Sequence, residues 1–127
     1  MAFIFCNPNP YGNLVGDCVI RAISIVTEND WDTVYLAIVL KGFDMKDMPS
    51  SNSVWSAYLR SKGFKRYIMP NDCPDCFTIK DFCEDRDKGC FLLATGTHVV
   101  AVIDGNYYDT WDSGSEIPTY YWKKEEN

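Results

Sequence analysis

Apolar residues recur at helical spacing through the first two thirds of the chain. In residues 17–28 they form a broad apolar surface behind Asp17, a residue type that often occupies a helix N-cap. Thr78 begins the last such stretch, and Asp81 follows three residues later at the capping-box position. The predicted helices span 17–28, 29 or 30 to 41 with Gly42 as the stop, 51 or 52 to the stop at Gly63, and 78 to about 86.

The last third of the chain changes to patterns typical of strands. Asp104-Gly105 is a strong signal for a two-residue hairpin turn between two of them. The predicted strands are 64–69, 90–94, 98–103, 106–112 and 117–122. The last is expected at the sheet edge because Pro118 limits its pairing. This order predicts one α+β domain over 1–127, with N-terminal helices packed on a C-terminal antiparallel sheet.

The composition is typical of folded globular proteins, and it limits the classes of partner that the chain is expected to bind. Its 127 residues are 46% hydrophobic and carry a net charge of −6. An acidic chain without a basic stripe disfavours nucleic acid, because phosphate contacts need clustered Lys and Arg. No apolar segment has the length of a signal peptide or membrane span. We therefore expect a cytoplasmic protein with reduced cysteines and no membrane partner, and its oligomeric state stays open.

The stretch Gly16-Asp17-Cys18 places a thiol on the first turn of the first predicted helix. Unpaired backbone N–H groups and the positive end of the helix dipole converge there, which favours the reactive thiolate. The alternative is a cysteine packed in the core, because free cysteines are often buried. From this stretch alone both interpretations stay open.

The chain has one histidine, His98, at the start of a predicted strand. If Asp104-Gly105 forms a two-residue type I′ turn, the hairpin register places Asp109 diagonally opposite His98 on the same face of the sheet. A turn longer by one residue would bring Asp112 there instead. Asp109 is therefore the preferred partner of the ring, and Asp112 is the fallback.

A thiol, an imidazole and a carboxylate are the nucleophile, base and orienting group of a covalent acyl-transfer site. Cys18 would attack a carbonyl carbon, His98 would hold and return the proton, and Asp109 would orient the imidazolium. The oxyanion would be met by the Cys18 N–H and by a side chain of the preceding loop, with Asn13 the first candidate and Asn9 the second. The alternative role of both asparagines is turn formation.

Three of these stretches resemble papain-like thiol peptidases. Gly16-Asp17-Cys18 is similar to the nucleophile segment of NlpC-type cell-wall endopeptidases, and Thr97-His98-Val99 is similar to their His-Val strand. Asp109-Thr110-Trp111 resembles the Asn-Ser-Trp of papain. The resemblance implies a papain-like fold, with Asp109 in the orienting position and Trp111 shielding the pair from water. Transglutaminase cores share the same Cys, His, Asp order.

Four stretches carry a second likeness: Asn7-Pro8-Asn9-Pro10, Val15 to Ile23, His98 to Val102 and Tyr107 to Gly114. Through them, over nearly its full length, the chain resembles a family of small proteins of gut Firmicutes and their phages and prophages, a likeness that brings no assigned activity. Two departures from the papain-like pattern matter. Papain-like enzymes place a Gln six residues before the nucleophile, where this chain has Gly12, and NlpC-type enzymes follow the Cys with Ser and Gly, where it has Val19 and Ile20. The oxyanion donor and a peptidoglycan substrate therefore stay open.

Three function classes follow from these features. The first is a thiol hydrolase that cleaves a peptide or amide bond in a short or compact substrate. The second is a transglutaminase-like or deamidating enzyme acting on a host protein, and the third is a catalytically idle papain-like module that binds such a protein. No cofactor is expected. Zinc or redox chemistry at Cys73-Pro74-Asp75-Cys76 is an alternative for that motif, but a structural zinc needs four ligands, and the remaining Cys83 and Cys90 fit the core better.

Overall fold

The computed structural model describes residues 2–69 and 77–125, and these residues form four helices and six strands. In chain order the elements are β1 (Phe3–Phe5), α1 (Cys18–Thr27), α2 (Trp31–Met45), α3 (Asn52–Ser61), β2 (Phe64–Ile68), α4 (Ile79–Asp85), β3 (Cys90–Ala94), β4 (Val99–Ile103), β5 (Asn106–Asp109) and β6 (Tyr120–Lys124). The protein is therefore α+β, as the hydrophobic pattern predicts.

The second helix extends further than predicted because Gly42 does not end it. α2 continues to Met45 and ends at Lys46, which has a left-handed backbone with φ of 55°. Gly42 lies buried inside the helix, where a Cβ atom would meet the Asp47 carbonyl oxygen at 2.9 Å and the Pro49 nitrogen at 3.2 Å. The glycine therefore serves the close approach of the following loop and not a helix stop.

The six strands form a mixed sheet in the order β1-β5-β4-β3-β6-β2. β1 runs parallel to β5, whereas the other neighbouring strands are antiparallel. The predicted antiparallel sheet is wrong at β1, which pairs in parallel with β5. With three residues, this strand is too short to show an alternating pattern. The predicted edge position of the last strand is also wrong. β6 lies between β3 and β2, and Pro118 precedes the strand without interrupting its hydrogen bonds.

Both faces of the sheet are covered, because alternate strand residues are buried on opposite sides. The first three helices pack on one face, in a core that includes Ile23, Ile38, Trp55, Leu92 and Trp122. α4 packs on the other face, in a core that includes Ile79, Phe82, Phe91, Leu93 and Val102. α1 lies against β4, so the start of this helix comes close to the connection between β3 and β4.

The β4–β5 hairpin has the two-residue turn that its sequence predicts. Asp104 and Gly105 both have positive φ, at 49° and 79°, as a type I′ turn requires. Ile103 pairs with Asn106 across the turn. This register determines which carboxylate of the return strand faces His98.

Replacing Gly105 by alanine is expected to lower the free energy of unfolding by about 1–2 kcal/mol, because an L-residue resists this left-handed backbone. A Cβ atom there would also lie 3.2 Å from the Cys83 carbonyl oxygen. Urea unfolding measures the effect. Gly96→Ala is the matched control, because no heavy atom lies within 4 Å of its Cβ position. Equal losses in both variants would contradict the turn assignment.

Candidate active site

Cys18 is the first residue of α1, and Asp17 occupies the N-cap position as predicted. The Asp17 side chain makes no capping hydrogen bond. Its carboxylate instead accepts a hydrogen bond from the Trp31 indole at 2.9 Å and pairs with Arg21. The Asp17 side chain thus leaves the first-turn N–H groups uncapped, and the Cys18 sulfur lies at the positive end of the helix.

His98 reaches the Cys18 sulfur from the connection between β3 and β4. Cys18, His98 and Val99 line the same cleft, and hydrogen bonding to the His98 side chain and to the Val99 backbone lowers the pKa of the Cys18 thiol. The Thr95 hydroxyl accepts a hydrogen bond from the His98 N–H at 2.9 Å, and the Thr95 N–H donates to the His98 carbonyl at 2.8 Å. Hydrogen bonds to both the N–H and the carbonyl of His98 therefore fix the backbone that carries the imidazole.

Asp109 is the hydrogen-bond partner of the ring, as the hairpin register predicts. His98 Nε2 lies 2.6 Å from Asp109 Oδ2, with both side chains largely buried. Three further donors bind this carboxylate: the Ser113 hydroxyl at 2.7 Å, the Thr110 N–H at 2.8 Å and the Arg21 guanidinium at 3.2 Å. A carboxylate accepts about four hydrogen bonds, so these four donors fix the orientation of the Asp109 side chain. Because Nε2 of the His98 ring is bonded to Asp109, Nδ1 is left for the thiol.

The surroundings of Cys18 and His98 favour a thiolate–imidazolium pair. Burial raises the pKa of the Cys18 thiol, but hydrogen bonds from His98 and Val99 and the charges of His98 and Arg21 outweigh it, so the pKa is lowered. Burial lowers the pKa of His98, but its bonds to Asp109 and Cys18 outweigh this effect and raise the pKa to about 9. The pKa of Asp109 is lowered despite its burial, through its hydrogen bonds to His98 and Ser113.

The other cysteines in the described residues behave differently. Burial raises the pKa of Cys83 and of Cys90 to about 11, and it also raises the pKa of Cys6. The predicted motif with Cys73 and Cys76 lies outside the described residues, so its zinc and redox interpretations stay predictions. Within 2–69 and 77–125, no group of three His, Cys, Asp or Glu side chains is placed to hold a metal ion.

Arg21 belongs to this constellation although the sequence patterns did not predict it. Its side chain is only 8% exposed, and it links Asp17 at the start of α1 to Asp109 at the end of β5. It also donates to the Val15 carbonyl at 3.4 Å. The available signal was an arginine four residues after an aspartate on an otherwise apolar helix face, a spacing that favours an ion pair.

Two further predicted residues follow the hairpin. Trp111 packs beside the His98 ring, with centroids 4.9 Å apart, and remains 46% exposed. Asp112 does not face the imidazole. Its carboxylate accepts hydrogen bonds from the Tyr107 hydroxyl at 2.5 Å and from the Gly114 N–H at 3.1 Å. The fallback partner therefore has another role, because the turn has two residues and not three.

The two asparagines predicted as oxyanion donors serve the loop that precedes α1. The Asn9 side-chain oxygen accepts hydrogen bonds from the N–H groups of Tyr11 at 2.9 Å and Asn13 at 3.4 Å. Asn13 is exposed, and its carbonyl accepts from the Asn7 amide at 3.1 Å. Neither asparagine lines the cleft at Cys18. Turn formation, the alternative role, is what their contacts support.

A cleft of about 420 Å³ opens beside the Cys18–His98 pair. It is bounded by the first turn of α1, by α2 and α3, by the β3–β4 connection and by Tyr120 of β6. Its size falls within the range of small-molecule sites. The thiol therefore faces a space large enough for a substrate group.

Comparison with protein-family models, with curated proteins and with solved structures found no match to this chain. In the part of the chain that the structure describes, no helix has the length and apolar character needed to cross a membrane. The function is therefore inferred from the geometry of the site.

Proposed function

We propose that this protein is a thiol hydrolase that cleaves a peptide or amide bond through a covalent acyl-enzyme intermediate. The observation that carries the proposal is that Cys18, at the start of α1, and His98 line one cleft, and that His98 Nε2 lies 2.6 Å from Asp109 Oδ2. Nucleophile, base and orienting carboxylate in hydrogen-bond contact are the geometric requirement for this chemistry.

The Cys18 thiolate attacks the carbonyl carbon of the substrate and forms a C–S bond, and the carbonyl electron pair moves to oxygen. The His98 imidazolium gives its Nδ1 proton to the leaving nitrogen as the C–N bond breaks and the amine departs. His98 then removes a proton from water, which attacks the thioester carbon. The C–S bond breaks, the acid leaves, and the thiolate–imidazolium pair is restored.

The remaining protein groups support both half-reactions. The Cys18 N–H, at the uncapped start of α1, meets the developing oxyanion together with the helix dipole. Asp109 keeps Nδ1 of His98 directed at the sulfur, and its four donors hold it in place. Trp111 shields part of the His98 imidazole from solvent.

The proposal includes a papain-like class of fold. A thiol that begins a helix and an imidazole that precedes an antiparallel strand support it, with the three motif likenesses described above. We propose a peptide or protein of a host cell as the substrate and the cytoplasm as the location, where the thiol stays reduced.

Iodoacetamide labelling tests whether the thiol is activated. At pH 7, Cys18 is expected to react about tenfold faster or more than free N-acetylcysteine, because only the thiolate is nucleophilic. Peptide mass spectrometry locates the label and separates Cys18 from the other cysteines. Cys18→Ala should remove the fast reaction and leave the unfolding temperature nearly unchanged, since the sulfur is only half-buried.

Three outcomes would redirect the proposal. A slow Cys18 would favour the idle binding module, and a large loss of stability in Cys18→Ala would favour the core-cysteine interpretation. If Cys18 reacts fast with iodoacetamide, peptide substrates are incubated with and without a primary amine, and the masses of the products are measured by mass spectrometry. Products that carry the amine in place of water would identify the enzyme as an acyl transferase.

A further inference from the structure

We propose that the cleft beside Cys18 receives an uncharged, apolar side chain, aliphatic or aromatic, on the acyl side of the scissile bond. The inference rests on the proposed function and adds the class of substrate to it. It depends on the charges, the apolar wall and the polar rim of the cleft.

The charges of the cleft are already paired. Apart from the Cys18 thiol itself, the carboxylic or basic side chains among the described residues that line it are Asp17 and His98. The Asp17 carboxylate is bonded to Arg21 and to the Trp31 indole, and the His98 ring is bonded to Asp109 and Cys18. A charged substrate side chain would therefore lose its hydration without gaining an opposite charge.

The wall of the cleft is apolar and partly open to solvent. α2 contributes Tyr35, Ile38 and Val39, and Trp55 of α3 continues the surface. Tyr35 and Val39 remain 46% and 36% exposed, whereas Ile38 beside them is buried. Apolar surface left exposed beside a nucleophile gains free energy when a substrate covers it.

The rim of the cleft offers a polar side chain, Asn52, to the backbone of a substrate that carries such a side chain. Asn52 lines the cleft, and its side-chain oxygen accepts a hydrogen bond from the Trp55 indole at 3.0 Å. The indole N–H is a donor only, so this contact fixes the amide orientation and turns Nδ2 away from Trp55. A peptide carbonyl that accepts a hydrogen bond from Nδ2 would be oriented in the cleft, as polar groups orient ligands in apolar pockets.

The test uses N-acetyl aminoacyl chloromethyl ketones of Phe, Leu, Lys and Asp. The Cys18 thiolate displaces chloride, so a C–S bond replaces the C–Cl bond, and intact mass reports the reaction. Each rate is divided by that of iodoacetamide. We expect the Phe and Leu reagents to react about tenfold faster or more than the Lys and Asp reagents, as full burial of an apolar side chain predicts.

Val39→Glu tests the wall directly. It should reduce the advantage of the Phe reagent over the Lys reagent at least about fivefold, because a carboxylate then faces the bound side chain. Leu40→Glu is the matched control on the same helix, since Leu40 is 63% exposed and lies outside the cleft, and it should keep the wild-type preference. If Val39→Glu does not fold, Val39→Ser should still weaken the Phe preference.

The outcomes separate this inference from the proposed function. Equal rates for the apolar and charged reagents, with fast iodoacetamide labelling, would overturn the inference alone. A faster reaction of the Lys or Asp reagent would also overturn it. Slow labelling of Cys18 by iodoacetamide would overturn both the inference and the hydrolase proposal.

Discussion

Replacing His98 by glutamine is expected to slow the alkylation of Cys18 at pH 7 by about tenfold or more. The imidazolium lowers the thiol pKa through its hydrogen bonding and its positive charge, and glutamine cannot supply a charged donor. An ordinary thiol with a pKa near 8.5 is about 3% ionised at pH 7, and burial of Cys18 lowers that fraction further.

The pH–rate profile distinguishes loss of charge from loss of structure. In the wild-type protein the rate should reach its plateau below the ordinary cysteine pKa, because the pKa of Cys18 is lowered. In His98→Gln the same rise should move above about pH 8.5 and reach a similar plateau, since the thiolate itself is intact. A variant with an unmoved profile would show that the imidazole does not activate the sulfur.

The proposed peptide or amide cleavage should depend on pH in a different way from alkylation. Cleavage needs the thiolate and the imidazolium together, so its rate should rise as Cys18 ionises and fall as the pH passes about 9, where His98 loses its proton. Alkylation needs only the thiolate and should not fall above pH 9. The alkylation profile therefore reports the ionisation of Cys18, and the cleavage profile also reports the loss of the His98 proton, within one coupled pair.

The elements of the candidate site that could be predicted are those fixed by local chemistry. Asp104-Gly105 determines the type of turn, the turn determines the register, and the register selects Asp109 over Asp112 as the partner of His98. The position of Cys18 at a helix start is likewise a property of a few adjacent residues. Local rules of this kind do not depend on the rest of the fold.

The predictions that were wrong involve contacts between distant parts of the chain. The position of β1 beside β5 and of β6 inside the sheet is decided by packing that no short pattern encodes. The sequence predicts a helix stop at Gly42 because the approach of this glycine to the loop at Asp47 exists only in the folded chain. The contact of Arg21 with Asp109 depends on helix packing in the same way.

Arg21→Met is expected to lower the free energy of unfolding by about 3–5 kcal/mol at neutral pH, the typical cost of removing one partner of a buried ion pair. The methionine would leave the carboxylates of Asp17 and Asp109 buried without the cation that links them. Urea unfolding measures the loss. Arg66→Met is the control, because Arg66 is exposed and should have a much smaller effect.

Two further variants test whether the loss of stability in Arg21→Met comes from the unbalanced buried charges or from changed packing. Arg21→Lys keeps the charge but cannot bond both carboxylates with a planar fork, so its stability should lie between those of the wild type and Arg21→Met. Adding Asp17→Asn to Arg21→Met removes one uncompensated buried charge and should recover part of the lost stability. If Arg21→Met costs no more than Arg66→Met, or if Asp17→Asn destabilises it further, Arg21 does not hold the start of α1 to the carboxylate of the site.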